Sequence, residues 1–449
     1  MIPIIRLDRG PALAAELADG ARSFAVGLWF PLGSRNEAPQ ERGFVHFVEH
    51  MVFKGTSRYG AAELSRRIER VGGYINAFTD RDSICVHCQV PAERWALALD
   101  LLVDMIFGST FAEEDFQRER EVIESEILSA RDDPEECAHD SFLAAIWPGD
   151  PLSRRIAGEV EEVRRITRDR LFDFYRAELS PSRLLVTAAG PIRPEYVAAE
   201  LSRLMDERAE TLGRRMPESS AAERAASTPL FSPVRAYRDV DMEQVHYFEA
   251  VQLEPPFDEG DYYALSAVNG AIGEASSSRL FLSLREERGL CYSVYSGFAM
   301  TPTEGLWMAS ASASSSVMPE LVSEMGRQLD SLASEGLRAE ECEDAVSRLS
   351  GAFEIALDDP DFRMRRLGRQ ILFSGEADTV DEARRAMSSL SFEALNAACS
   401  RILSGRERAR FAYGKLGRRA AREAGLERAK GVGGGSADKV RATMAARRG

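Results

Sequence analysis

The sequence predicts an α+β protein built from two similar halves, on three observations. Strand-like apolar runs and amphipathic helical stretches are interspersed without a regular βαβ alternation, which disfavours a doubly wound parallel sheet. The 449 residues exceed what one ordinary core holds, so length asks for more than one domain. The pattern breaks once, over 207–233, where "ERAETLGRRMPESSAAERAASTPLFSP" loses apolar periodicity and fills with Ala, Ser, Pro and charge, as a linker does.

Residues 1–206 make the first half. In it "SFAVGLWFPLG", "DSICVHCQV" and "SRLLVTAAG" read as strands, apolar and β-branched between turn formers. The longer stretches between them space apolar residues by three and four, which predicts helices. Residues 234–414 repeat the theme with a strand "VHYFEAVQL", a helix from Asp261, strands "LCYSVYSGFAM" and "GLWMASASAS", then further helices. Two stretches echo each other: "ELSRRIERVGGYINAF" and "RLFLSLREERGLCYSV" both run from an amphipathic helix through glycine into a strand. Two copies suit a duplication and are too few for a solenoid. Residues 415–449 are basic, glycine-punctuated and poor in large apolar side chains, and are expected to form a flexible tail.

Composition removes several function classes. A formal charge of −15 argues against nucleic acid as a partner, because phosphate binding needs a basic surface. No uncharged apolar run approaches the ~20 residues of a membrane span. The first residues carry neither a signal-peptide pattern nor an Arg-rich leader, so the expected location is the cytoplasm. Six cysteines suit free thiols in a reducing compartment. "CVHC" (85–88) has the spacing of a metal motif but lies in a predicted strand, where residues three apart face opposite ways, and no second CxxC completes a zinc set. It reads as three half-buried strand residues.

The chemistry concentrates in "GFVHFVEHMVFKG" (43–55), which holds two of the five histidines. A helix puts His46 and His50 on one face, one turn apart, with Glu49 beside them. Seven apolar side chains surround the three, so the helix is expected to be buried. Unpartnered, three such groups would be costly to bury; a divalent cation held by the two imidazoles compensates. The pattern H-x-x-E-H is the inverzincin signature. A catalytic zinc wants a third protein ligand, and the acid-rich helix predicted over "EEDFQREREVIESEILSARDDP" (113–134) offers candidates. Helical phase places Glu119 and Glu126 on one stripe with Phe116, Val122, Ile123, Ile127 and Ala130, and turns Glu121 and Glu124 away. Phase does not rank the two.

On these residues the chain resembles the pitrilysin (inverzincin) metallopeptidase family, nearest its short-subunit branch, which includes mitochondrial processing peptidase. The likeness runs through "AVGLWFPLGSRNE", "HFVEHMVFKGT", "GGYINAFT", "REREVIESEI" and "SSRLFLSLREERGLCYSVYS". It implies two homologous α/β-sandwich halves and a zinc endopeptidase carrying one zinc per chain. By the family pattern His46, His50 and Glu126 bind the zinc, Glu49 is the base toward its water, and Glu119 orients a ligand. Arg285 and Tyr292 correspond to a pair that reaches across to the substrate. Asn76, Ala77, Phe78 and Thr79 correspond to an edge strand that takes up the peptide by β-augmentation. The resemblance also implies a two-subunit clamshell, a homodimer or a heterodimer with a related subunit, admitting short or unfolded peptides. The alternative is a noncatalytic scaffold or partner subunit of the same fold. The glycine-rich loop of such partners is not evident in "NGAIGEASSSRLF".

Overall fold

The computed structural model describes residues 1–8, 10–211, 229–255, 257–301 and 303–429. Among them are two six-stranded sheets. The first contains β1 (Ile4–Arg6), β2 (Ala12–Leu17), β3 (Ser23–Phe30), β4 (Tyr74–Thr79), β5 (Ile84–Pro91) and β6 (Leu185–Gly190), in the order β1-β2-β6-β3-β5-β4. The second contains β7 (Arg235–Asp239), β8 (Gln244–Leu253), β9 (Ser293–Met300), β10 (Gly305–Ser314), β11 (Ala409–Gly414) and β12 (Glu427–Arg428), in the order β12-β7-β11-β8-β10-β9.

Without β1 and β12 the two orders coincide. β2 pairs with β6 and β7 with β11 in parallel, and every later neighbour is antiparallel in both sheets. The two echoing stretches fall at matching places: the Ala61–Glu69 helix leads into edge strand β4, and the helical segment Phe281–Glu287 leads into edge strand β9. The expectation of two like α+β halves is met.

Each half lends a helix to the other. The Pro360–Ser374 helix lies on the first sheet, where Met364 packs with Ala25, Trp29, Cys85, Leu185 and Ala189. In return the Pro134–Ile146 helix lies on the second sheet, with Phe142 stacked on Phe248 at 4.8 Å between ring centroids. Both helices start with Asp-Asp-Pro, the second aspartate accepting first-turn N–H groups and the proline opening the helix. Trp29 Nε1 donates to Thr187 Oγ1 at 2.8 Å, and that hydroxyl donates to Met364 O at 3.0 Å, tying sheet to helix. The fit is tight at Gly368, where an added Cβ would lie 2.3 Å from the Trp29 ring. Gly368→Ala is therefore expected to destabilise the chain by about 2 kcal/mol, read as a lower denaturant midpoint.

Three expectations change. Cys85 and Cys88 do face opposite sides of β5, but both are fully buried rather than half-buried, because the borrowed helix covers the far face. Residues 415–429 belong to the fold: Leu416, Ala421, Ala424 and Leu426 are buried in the second core, and β12 extends its sheet. Those few apolar residues suffice as an inner stripe beneath basic neighbours; residues 430–449 lie outside the described residues. The Pro194–Thr211 helix runs into the expected linker, and Phe231 and Val234 pack against the core cluster that contains Phe142, while 212–228 lie outside the described residues. All six cysteines are free. No described helix is long and apolar enough to cross a membrane.

Candidate metal centre

The Phe44–Val52 helix buries all of its apolar side chains. Phe47 stacks on Phe116 of the Glu113–Asp132 helix, with centroids 4.9 Å apart and planes 5° from parallel, which sets the spacing of the two helices. The four-residue interval brings the His46 and His50 rings to 4.7 Å. Across from them, Glu126 Oε1 is 3.9 Å from His46 Nε2, and Glu126 Oε2 is 3.5 Å from His50 Nε2. Donor atoms of these three residues lie within 4.8 Å of one another, a grouping compatible with one shared cation.

Glu119 has a different place. Its Oε2 is 3.1 Å from His50 Nδ1 and its Oε1 is 2.8 Å from Lys54 Nζ. A proton on Nδ1 shared with Glu119 leaves Nε2 bare toward Glu126. Lys54 was not nominated by the sequence; its only signal there is a cation one helical turn beyond His50 at the end of an apolar run. Burial, aided by the neighbouring His50, pushes the His46 imidazole down to about 4, keeping it neutral. Neutral imidazole is the ligating form, and two imidazole nitrogens with a carboxylate are a set that zinc takes.

Burial raises the pKa of Glu49; a hydrogen bond from Thr79 and the nearby His50 oppose the rise, and Glu126 adds to it. Thr79 Oγ1 donates that bond to Glu49 Oε2. The end of β4 therefore touches the carboxylate between the two histidines, a link that the edge-strand role of residues 76–79 does not contain. Asn76 Oδ1 accepts from the Ala77 N–H at 2.9 Å. Among the described residues β4 pairs only with β5 and presents an open edge.

On the Glu113–Asp132 helix, Glu121 is exposed and Glu124 bonds Arg164 at 2.7 Å, both away from the triad as phase predicts. Val122, placed by phase on the inner stripe, is 48% exposed, and the Glu126 side chain is 53% exposed. The stripe is buried along Phe116, Glu119, Ile123 and Ile127 and opens where Glu126 meets the histidines. Arg285 and Tyr292 are brought together in the second half, the guanidinium 5.1 Å from the ring centroid and 4.7 Å from that of Phe281. Tyr292 is 84% exposed, and no contact between this pair and the triad is seen among the described residues.

The model of the insulinase family, peptidase family M16, matches residues 13–160, which contain the whole triad. A second model, the peptidase M16 inactive domain, matches residues 165–349. An uncharacterized zinc protease of Streptomyces coelicolor is 33% identical over 410 residues, 89% of this chain and 87% of the relative. A probable mitochondrial-processing peptidase subunit beta of Arabidopsis thaliana is 34% identical over 201 residues, 45% of this chain and 38% of that protein. The crystal structure of a peptidase M16 inactive domain from Pseudomonas fluorescens shares the fold, with TM-score 0.83 at 17% identity over 93% of this chain and 98% of the other. This chain belongs to the insulinase family of peptidases, family M16.

Proposed function

We propose that the chain is a zinc-dependent endopeptidase. The observation that carries this reading is the convergence of His46 Nε2 and His50 Nε2 on Glu126, with Glu49 on the same helix. His46, His50 and Glu126 would hold one zinc ion per chain. Bound there, zinc supplies Lewis acidity toward a peptide carbonyl and makes water easier to deprotonate. Glu49, aimed by Thr79 and made more basic by burial, takes the water proton and returns it to the leaving amine.

The open edge of β4, through Asn76, Ala77, Phe78 and Thr79, takes the peptide as an added strand, so main-chain bonds hold varied sequences. Arg285 and Tyr292 steady the carbonyl oxygen once the substrate is seated. A two-chain chamber, formed with a second copy or a related subunit, restricts entry to short or unfolded peptides. Digestion of a mixed peptide library tests the reading. Internal cleavage should stop on chelation and return with zinc, at one metal per chain by elemental analysis. A chain that binds zinc and cleaves nothing under these conditions would be the noncatalytic scaffold instead.

A further inference from the structure

The Phe44–Val52 helix has no cap of its own. Its N-cap residue, Gly43, sits at φ 82° and ψ 2° without a capping side chain. A Cβ at Gly43 would come within 2.8 Å of the Ala157 carbonyl oxygen, so a capping residue is shut out at that position. Glu37 supplies the missing acceptors from upstream: Oε2 accepts the Gly43 N–H at 2.9 Å and Oε1 accepts the Val45 N–H at 2.8 Å. Its side chain lies inside the protein, the residue being 6% exposed. Burial pushes this carboxyl up to about 8; the two amide bonds pull it down, and Glu41 and Glu162 push it up.

We propose that Glu37 is a positioning residue for the metal ligand His46, an inference that rests on the zinc-site reading above. The two histidines are held differently. His50 is braced at Nδ1 by Glu119, whereas the buried His46 Nδ1 has no partner among the described residues. The aim of the His46 ring therefore depends on the backbone beneath it. His46 is the third residue of the helix, in the turn that frays most readily when its N–H groups are unpaired. Glu37 fixes that turn, and the loop carrying Glu37 is itself anchored. Ser34 and Arg35 donate their N–H groups to Asp80 O and Arg81 O, each at 3.1 Å, and the Arg35 side chain pairs with Glu304 of the second half.

The test uses the full chain. Zinc affinity is measured by chelator competition in the wild type, Glu37→Gln and Gly368→Ala, the last a destabilised control remote from the metal. A carboxyl group keeps two accepting oxygens in either protonation state, whereas an amide keeps one and turns an N–H against a backbone N–H. Glu37→Gln is expected to hold zinc about 10- to 100-fold more weakly and to shift the visible absorption of the cobalt(II)-substituted protein. Gly368→Ala should do neither. Unchanged zinc affinity and an unchanged cobalt spectrum in folded Glu37→Gln would overturn the inference. If that variant does not fold, hydrogen exchange in the unmodified metal-free chain decides. Gly43 and Val45 amides should exchange as slowly as those at the helix centre, and fast exchange at both overturns the proposal. Failure of the wild type to bind zinc would instead strike down the reading of the site itself.

Discussion

Glu49→Gln is expected to keep its zinc while losing peptide hydrolysis by about 10²- to 10⁴-fold or more. The substitution conserves shape, and the amide oxygen can still accept the Thr79 hydroxyl. The donor atoms of His46, His50 and Glu126 belong to other side chains, so metal content should match the wild type. What disappears is a group able to take a proton: an amide is not a base near neutral pH. The loss should fall on kcat, with KM changed little, because an interaction realised in the transition state has been removed. Thr79→Val separates basicity from aim. It leaves the carboxylate but frees it to rotate, and should lose less activity than Glu49→Gln. Steady-state kinetics on one peptide and elemental analysis of the same samples measure both. Full turnover by a zinc-loaded Glu49→Gln protein would remove Glu49 from the role of base.

Much of this site is legible in the sequence because its signals are local. A four-residue interval between histidines in an apolar run specifies one helical face, and the Phe44–Val52 helix presents it. Phase on the Glu113–Asp132 helix selects Glu119 and Glu126 from many acids, and both reach the histidines. What phase lacks is the height of the facing helix, which decides that Glu126 meets both Nε2 atoms while Val122 is left outside. Glu37 and Lys54 were illegible for another reason. The groups they bind are backbone amides and another helix's carboxylate, and sequence spacing carries neither.

The architecture divides the same way. Strands with strong β-forming residues were visible, whereas "ALAAEL" of β2 has helical preferences and becomes a strand through its parallel pairing with β6. The repeated Asp-Asp-Pro at 132–134 and 358–360 is a sharper mark of duplication than the echo through glycine, since it opens the two exchanged helices. The exchange itself has no sequence signature, because an amphipathic pattern says that a helix is covered and not which sheet covers it.

In the proposed zinc site, the three side chains around the histidines should separate by distance from the metal. Glu126 places one oxygen toward each Nε2, so Glu126→Ala removes the proposed third ligand and is expected to weaken zinc binding by more than the ~100-fold upper range for supporting residues. Glu119 acts through His50 Nδ1, and Glu119→Ala should weaken binding by about 10- to 100-fold. Lys54 acts one step further out, through Glu119 Oε1, and Lys54→Met should fall below both. It removes a cation from a carboxylate whose side chain is only 9% exposed, and so loosens the brace without deleting it. Chelator competition on the three variants gives the order directly. A Glu119 variant that loses more zinc affinity than the Glu126 variant would exchange their roles, because the residue in direct contact with the ion is the one whose removal leaves its coordination incomplete.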